Sequence, residues 1–201
     1  MAAYTPPKAN TWPWWEMKTR KYFDKKDFRD RPAEFSLLAD HCQGVVLEVG
    51  CCFGSFAKYL PEGITGYLGV DISSHAIDIA PERCPGKTFI CGDIFKLAPF
   101  LRPKFNTIVM MQLLEHFEKP EIALLNILPH VIHPKYCQLV VSVPRGAPTP
   151  SQVKNDGHLF GWKDEGDFSS WIEKKCPFLG PSRIVRYYKG AENHICSIIS
   201  L

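Results

Sequence analysis

Two groups of residues in this sequence have the types and spacing that chemistry needs. The first is Glu115-His116, with His158 downstream in GHLFGWKDEGDFSSW. A carboxylate beside one imidazole, with a second imidazole in reserve, is a set that moves protons near neutral pH. The second is LEVGCCFG (Leu47 to Gly54), followed by GVDIS around Asp71 and Ile72 and by CGDIF around Asp93 and Ile94. Gly50 and Gly54 let the backbone turn sharply and approach a ligand closely. Asp71, closing the next apolar run, can accept both hydroxyls of a ribose, and Asp93, closing the one after, suits an exocyclic amine such as adenine's. Three carboxyl-end positions thus converge on an adenosine-like ligand. Cys51 and Cys52 sit where thiol chemistry is conceivable, but neighbouring cysteines chelate one ion poorly, and a disulfide between them would strain the turn. They read as small residues in a ligand loop.

The elements that must position these groups follow from the apolar pattern. VVLEV (45–49), GYLGV (66–70), TFIC (88–91), TIVMM (107–111) and QLVVSV (138–143) are apolar on both faces, as strands of a covered parallel sheet are. Between them lie helix-compatible segments at Ser55 to Leu60, Ser74 to Ala80 and Pro120 to Ile132. After Pro144 a loop rich in Pro, Asn and Gly leads to a helix at Asp164 to Lys174. SRIVRYY (182–188) and HICSIIS (194–200), joined by KGAEN, then predict an antiparallel hairpin. The expectation is an α/β, doubly wound, Rossmann-like, seven-stranded and mostly parallel sheet with an antiparallel C-terminal hairpin. Residues 1–40 are expected as an N-terminal helical cap on a core at 41–201, the whole being a single domain.

Composition narrows the classes further. Of 201 residues, 45% are hydrophobic and 22% charged, an ordinary balance for a globular chain. A formal charge of +3 argues for no nucleic-acid partner by itself, and the one basic cluster, Lys18 to Arg31, is interleaved with Asp24, Asp27 and Asp30. No apolar run reaches the length of a membrane span and no secretory leader is evident. Eight cysteines without a CxxC pair suggest reduced thiols in the cytoplasm rather than a zinc site.

Read together, the motifs resemble those of class I S-adenosylmethionine-dependent methyltransferases. LEVGCCFG is similar to the family's ExGxGxG motif, with Glu48, Gly50 and Gly54 matching and Cys52 in place of the middle glycine. GVDIS resembles the acidic second motif, CGDIF the third and MMQLLEHFEKP the fourth, over about residues 42–200. The resemblance implies S-adenosyl-L-methionine as cofactor and S-adenosylhomocysteine as product. It also implies that Gly50 and Gly54 flank the methionine part, that Asp71 holds the ribose, that Asp93 and Ile94 bind adenine and that Gln112 lines the methionine side, with Glu48, Cys51, Cys52 and Ile72 also among the cofactor-binding residues. A nicotinamide-dependent Rossmann enzyme would instead show GxGxxG and lack the hairpin.

For the chemistry itself, orientation can supply roughly 7–11 kcal/mol, and a general base adds a factor of about 10² to 10⁴. Glu115, His116 and His158 are the candidate catalytic residues, weighed against a role in ordering loops. The acceptor is expected to be a small molecule methylated at oxygen or nitrogen, with no membrane partner and no metal. EH followed by HxFxW is also similar to methyltransferases that 2′-O-methylate small-RNA 3′ ends, where a metal grips the terminal hydroxyls; here Gln112 stands where that pattern needs a glutamate. A catalytically silent cofactor-binding subunit is the third reading. Trp12, Trp14 and Trp15 lie in the segment expected to cover the cofactor and shape the acceptor pocket, with packing of the cap against the sheet the alternative for each, and Arg20 or Arg31 could meet the cofactor carboxylate, no spacing selecting one.

Overall fold

The structure, a computed structural model, describes residues 10–23, 31–102, 104–179, 182–185 and 194–201. Asp24, Asp27 and Asp30 of the basic cluster and the KGAEN connection lie outside the described residues. Two helices, α1 (Trp12–Phe23) and α2 (Pro32–Ala39), precede β1 (Val45–Val49). Then follow β2 (Gly66–Asp71), α3 (Ser74–Arg83), β3 (Thr88–Cys91), α4 (Ile94–Leu97), β4 (Thr107–Met111), α5 (Pro120–Val131) and β5 (Gln138–Pro144). The chain ends with α6 (Pro150–Asp156), α7 (Glu165–Lys175), β6 (Ser182–Val185) and β7 (His194–Ser200). No helix among the described residues is long and apolar enough to cross a membrane.

The strands form one sheet in the order β3-β2-β1-β4-β5-β7-β6. β1 to β5 pair in parallel, and β7 runs antiparallel to both β5 and β6, so a single reversed strand closes a parallel sheet. Going outward from β1, the order runs to β2 and β3 on one side and to β4 and β5 on the other. The crevice at that switch is where ligands bind in such sheets.

Both faces are covered over β1, β2, β4 and β5, which explains their two-sided apolar runs; β3, expected as a covered strand, lies at the edge of the sheet and is mostly exposed. Leu47, Val49, Ile108, Met110, Leu139 and Val141 pack with Ile94 of α4, Leu124 and Ile127 of α5 and Phe168 of α7. The alternate residues Val46, Val109 and Val140 pack with Phe35 and Leu38 of α2 and with Phe56. Glu48 shares this second face by the period of the strand, so its carboxyl is carried inward among apolar neighbours.

Two local expectations differ from the structure. The segment Ser55 to Leu60 forms only a 3₁₀ turn at Phe56–Tyr59, because Leu60 precedes Pro61 and is extended, at φ −63° and ψ 135°. The stretch after Pro144, expected as loop, contains α6. Thr149 accepts from the Gln152 backbone while the Gln152 side chain accepts from the Thr149 backbone, Pro150 fills the first turn, and Gly157 ends the helix at φ 73°.

Candidate functional site

A cavity of about 440 Å³ opens at the carboxyl ends of β1, β2 and β4, within the size range of small-molecule sites, roughly 300–1,000 Å³. Its floor holds Glu48, Gly50, Cys51, Cys52, Asp71, Ile72, Asp93, Ile94 and Gln112, all named from sequence as cofactor residues. Gly54 is not among the lining residues. It sits one turn behind, at φ 72°, where a side-chain carbon would come within 2.8 Å of the Phe89 ring, so only glycine lets the loop close on the sheet.

The loop after β1 is held by backbone bonds. The Gly50 and Cys51 amides both donate to the Val70 carbonyl, at 2.8 and 3.2 Å, and the Gly54 amide to the Cys51 carbonyl at 2.9 Å. Cys52 lies at φ 47°, a left-handed conformation that L side chains resist, and its amide donates to Asp71 Oδ2 at 2.8 Å. The other oxygen of Asp71 accepts from the Ser73 amide at 2.9 Å. Asp71 therefore ties the loop to the start of α3 and leaves further lone pairs toward the cavity. Burial raises its pKa against the pull of these amides. Asp93 caps α4 through Phe95 N at 3.0 Å.

Burial pushes the Cys51 and Cys52 thiols well up, with the charge of Asp71 adding to it. Neither is a thiolate at neutral pH, so the loop offers no nucleophile or soft metal ligand. Burial likewise pushes the Glu48 carboxyl up to about 8, although the Tyr67 hydroxyl donates to Oε2. Gln112, at φ 50°, is fixed by its amide on the Ser142 carbonyl at 2.8 Å and by Nε2 on Ser142 Oγ at 3.2 Å.

Glu115, His116 and His158 come together although 42 positions separate the last two. Their ligand atoms all lie within 4.8 Å of one another. The Leu159 and Phe160 amides donate to the Glu115 carbonyl, at 2.7 and 3.0 Å, which draws the 158–162 segment against the turn at Leu114–His116. Trp162 anchors that segment among Phe168 and Trp171, at ring distances of 5.3 and 5.1 Å. His116 lines the cavity, whereas Glu115 and His158 do not. The Gly157 carbonyl lies 3.2 Å from His116 Nδ1, which makes Nδ1 the proton-bearing nitrogen and leaves Nε2 as the acceptor. Burial lowers the His116 pKa to about 4 and lowers that of His158 as well. Glu115 is 1% exposed, and burial pushes its carboxyl up to about 8. Neither of its oxygens has a hydrogen-bond partner among the described residues. One carboxylate and two imidazoles at this spacing suit a divalent cation, and Gln112, where a second carboxylate would complete the set, is neutral.

The helix α1 lies along the cavity, and no sequence motif pointed to how it is held. Glu16 accepts from Ser73 Oγ at 2.9 Å, from Ser74 Oγ at 3.2 Å and from the His75 amide at 3.2 Å, as an anion at the N-terminus of α3. These bonds outweigh burial and lower its pKa. At the other side Asn10 Nδ2 donates to the carbonyls of Gly157 at 2.7 Å and His116 at 3.2 Å. Of the three tryptophans, Trp15 lines the cavity edge-on to His116, Trp14 is buried, and Trp12 is 54% exposed. Arg31 lines the cavity; Arg20 is paired with Glu16, 59% exposed, and does not.

Residues 47–131 match a family model described as a methyltransferase domain. Among solved structures, the DhpI–SAM–HEP complex aligns at a TM-score of 0.67 and 12% identity, over 92% of this chain and 94% of that one. A Haloferax volcanii protein in complex with the Trm112 methyltransferase activator aligns at 0.69 and 14%, over 96% and 98%. The N-methyltransferase NodS from Bradyrhizobium japonicum WM9 aligns at 0.57 and 19%, over 89% and 96%. No curated protein matches the chain. At these identities the structural likeness speaks for the fold. Residues 47–131 are thus similar to a methyltransferase domain, and the structural likeness shows that the chain shares the Rossmann-like fold of these neighbours.

Proposed function

We propose that this methyltransferase takes its methyl group from S-adenosylmethionine and passes it to an oxygen or nitrogen of a small-molecule acceptor, leaving S-adenosylhomocysteine. The observation that carries the reading is one cavity whose floor joins the Gly50–Cys52 loop, Asp71 and Asp93 at successive strand ends. Asp71 and Ile72 hold the ribose, Asp93 and Ile94 the adenine, and Glu48, Gly50, Cys51, Cys52, Gly54 and Gln112 border the methionine part. The cofactor's sulfonium supplies the activated methyl group. The protein's residues orient the acceptor, and His116 Nε2 takes its proton. Glu115 and His158, beside His116, set the position of that ring. We read residues 1–201 as one domain in which the helices before β1 roof the cavity, and the eight unpaired cysteines as fitting a reducing cytoplasm. Incubation with labelled S-adenosylmethionine and a panel of amines, carboxylic acids, phenols and alcohols tests it: one labelled product supports transfer and ends the silent-subunit reading, and binding without any turnover overturns it.

The cluster of Glu115, His116 and His158 favours a second reading, metal-dependent 2′-O-methylation of RNA 3′ ends, in which these three residues hold the cation. A calorimetric titration with Mn²⁺ distinguishes it. Binding lost in His158→Ala supports that reading, and RNA methylation that survives both chelation and His158→Ala contradicts it.

A further inference from the structure

The cavity has two unlike walls. At the ends of β1 to β3 stand Glu48, Asp71 and Asp93, on the side given above to the cofactor. From α1 through the turn after β4 to α4, the lining is a run of rings: Trp15, His116, Phe117 and Phe95. Trp15 lies 4.8 Å from His116, ring to ring, at 86°; Phe117 follows His116 in the chain and lies 5.7 Å from Phe95 at 79°. Trp15, Phe117 and Phe95 carry no charge and offer one polar hydrogen, the indole N–H. The lining lysine and arginine among the described residues are engaged away from these rings. Lys18 Nζ donates to the Asn155 carbonyl and sits 4.9 Å above the Trp14 ring, and neither Asn155 nor Trp14 lines the cavity. Arg31 pairs with Glu34 at 3.5 Å at the start of α2.

The Trp15 ring is held before any acceptor arrives. Trp14, its neighbour in α1, is buried and lies edge-on to it at 4.7 Å. Glu16, the next residue, is bonded to Ser73, Ser74 and the His75 amide, and Asn10 to the carbonyls of Gly157 and His116. A wall fixed in this way loses little further freedom when a ligand settles on it. At the other end of the run Phe95 is 39% exposed, so the apolar ring surface continues out to solvent. Ring pairs are favoured beyond the area they bury, which selects a flat ring over a puckered one. Aromatic faces attract cations too, but a cation on this wall would stand beside the cofactor's sulfonium, and like charges at close range oppose that. For a carboxylate, the ring wall supplies no partner of opposite charge.

We infer that the acceptor is an uncharged molecule built on a flat aromatic ring, seated against Trp15 and Phe117 beside His116. This rests on the reading that S-adenosylmethionine occupies the strand-end wall. The test uses the full chain saturated with S-adenosylhomocysteine, so that the cofactor wall is filled, and calorimetric titration of probes of similar size. 4-Ethylphenol and 4-ethylaniline are flat and neutral, and 4-ethylcyclohexanol is neutral but puckered. 4-Ethylbenzoic acid is an anion and 4-ethylbenzylamine a cation at neutral pH. A flat neutral probe should bind roughly 3- to 10-fold more tightly than 4-ethylcyclohexanol, and more tightly than either charged probe. Trp15→Leu should abolish that preference, a ratio that general loosening of α1 would not move; Trp15→Phe should keep part of it, and Phe117→Leu should reduce it. Equal binding of 4-ethylcyclohexanol, tighter binding of a charged probe, or no binding of the flat pair overturns the inference. So does a preference that survives Trp15→Leu unchanged. A flat probe that displaces S-adenosylhomocysteine instead of joining it also overturns the inference, since the ring would then lie in the cofactor's place. If the wild type does not bind S-adenosylhomocysteine, the cofactor reading falls and the inference with it, an outcome distinct from the others.

Discussion

Replacing Cys52 by glycine should leave the fold at least as stable and the cofactor at least as tightly bound. Cys52 holds φ at 47°, where an L side chain costs roughly 1–2 kcal/mol. Glycine removes that cost and adds about 0.5–1 kcal/mol of unfolded-chain freedom, so the net change lies between about zero and a gain of ~1.5 kcal/mol. In a chain of this length 1 kcal/mol corresponds to roughly 2–4 °C in melting temperature. The amide that donates to Asp71 is retained in the variant, so the ribose carboxylate keeps its support. Cys52→Val is the contrasting control: a β-branched residue at this φ should lower the melting temperature and distort the loop. Thermal melting followed by circular dichroism, with titration of S-adenosylhomocysteine into each variant, reads both effects. A fall of more than about 4 °C in Cys52→Gly, or a tenfold loss of affinity, would refute the reasoning and give the thiol a role of its own.

Two further outcomes follow from the geometry. Gly157→Ala should lower stability by about 2 kcal/mol or more, some 4–8 °C, because φ is 73° and the new carbon would lie 2.5 Å from Asn10 Oδ1; an unchanged melting temperature would show that α1 is not held there. Stability should also fall as pH rises from 6.5 to 8. Glu48 and Glu115 keep, up to a folded pKa of about 8, protons that the unfolded chain releases near 4.5, so the folded state loses its advantage across that interval. His116, lowered from 6.5 to about 4, acts in the opposite sense but only below 6.5. Urea midpoints at pH 6.5 and 8 should therefore differ in the wild type and differ less in Glu48→Gln; equal differences would mean Glu48 is ionised throughout.

Much of the sheet was legible because β1, β2, β4 and β5 are buried on both faces and mostly apolar. The rim acids Asp71 and Asp93 were legible for a related reason: a carboxylate that ends an apolar run has few structural uses. Convergence of Glu115 and His116 with His158 was readable only through resemblance, since the bonds that create it run from the Leu159 and Phe160 amides to a backbone carbonyl. The helix α6 had its signal in Thr149, Pro150, Gln152 and Gly157, but the density of turn formers around it masked the capping box. Glu16 and Asn10 carry no pattern at all. Their partners are hydroxyls and backbone groups of α3 and of Gly157, distant in sequence, and only the packing of α1 selects them. Arg20, within α1, and Arg31, just before α2, could not be told apart by spacing, and only three-dimensional placement puts Arg31 in the cavity.

The central claim is that Asp71 and the loop after β1 hold S-adenosylmethionine. Calorimetric titration of S-adenosylhomocysteine into wild type and Asp71→Ala tests it most directly, with circular dichroism to verify that the variant is folded. The account predicts a single site in the wild type and a loss of at least about tenfold in the variant, since Asp71 supports both the loop and the ribose. A wild type that does not bind, or a folded Asp71→Ala that binds as tightly, would contradict it.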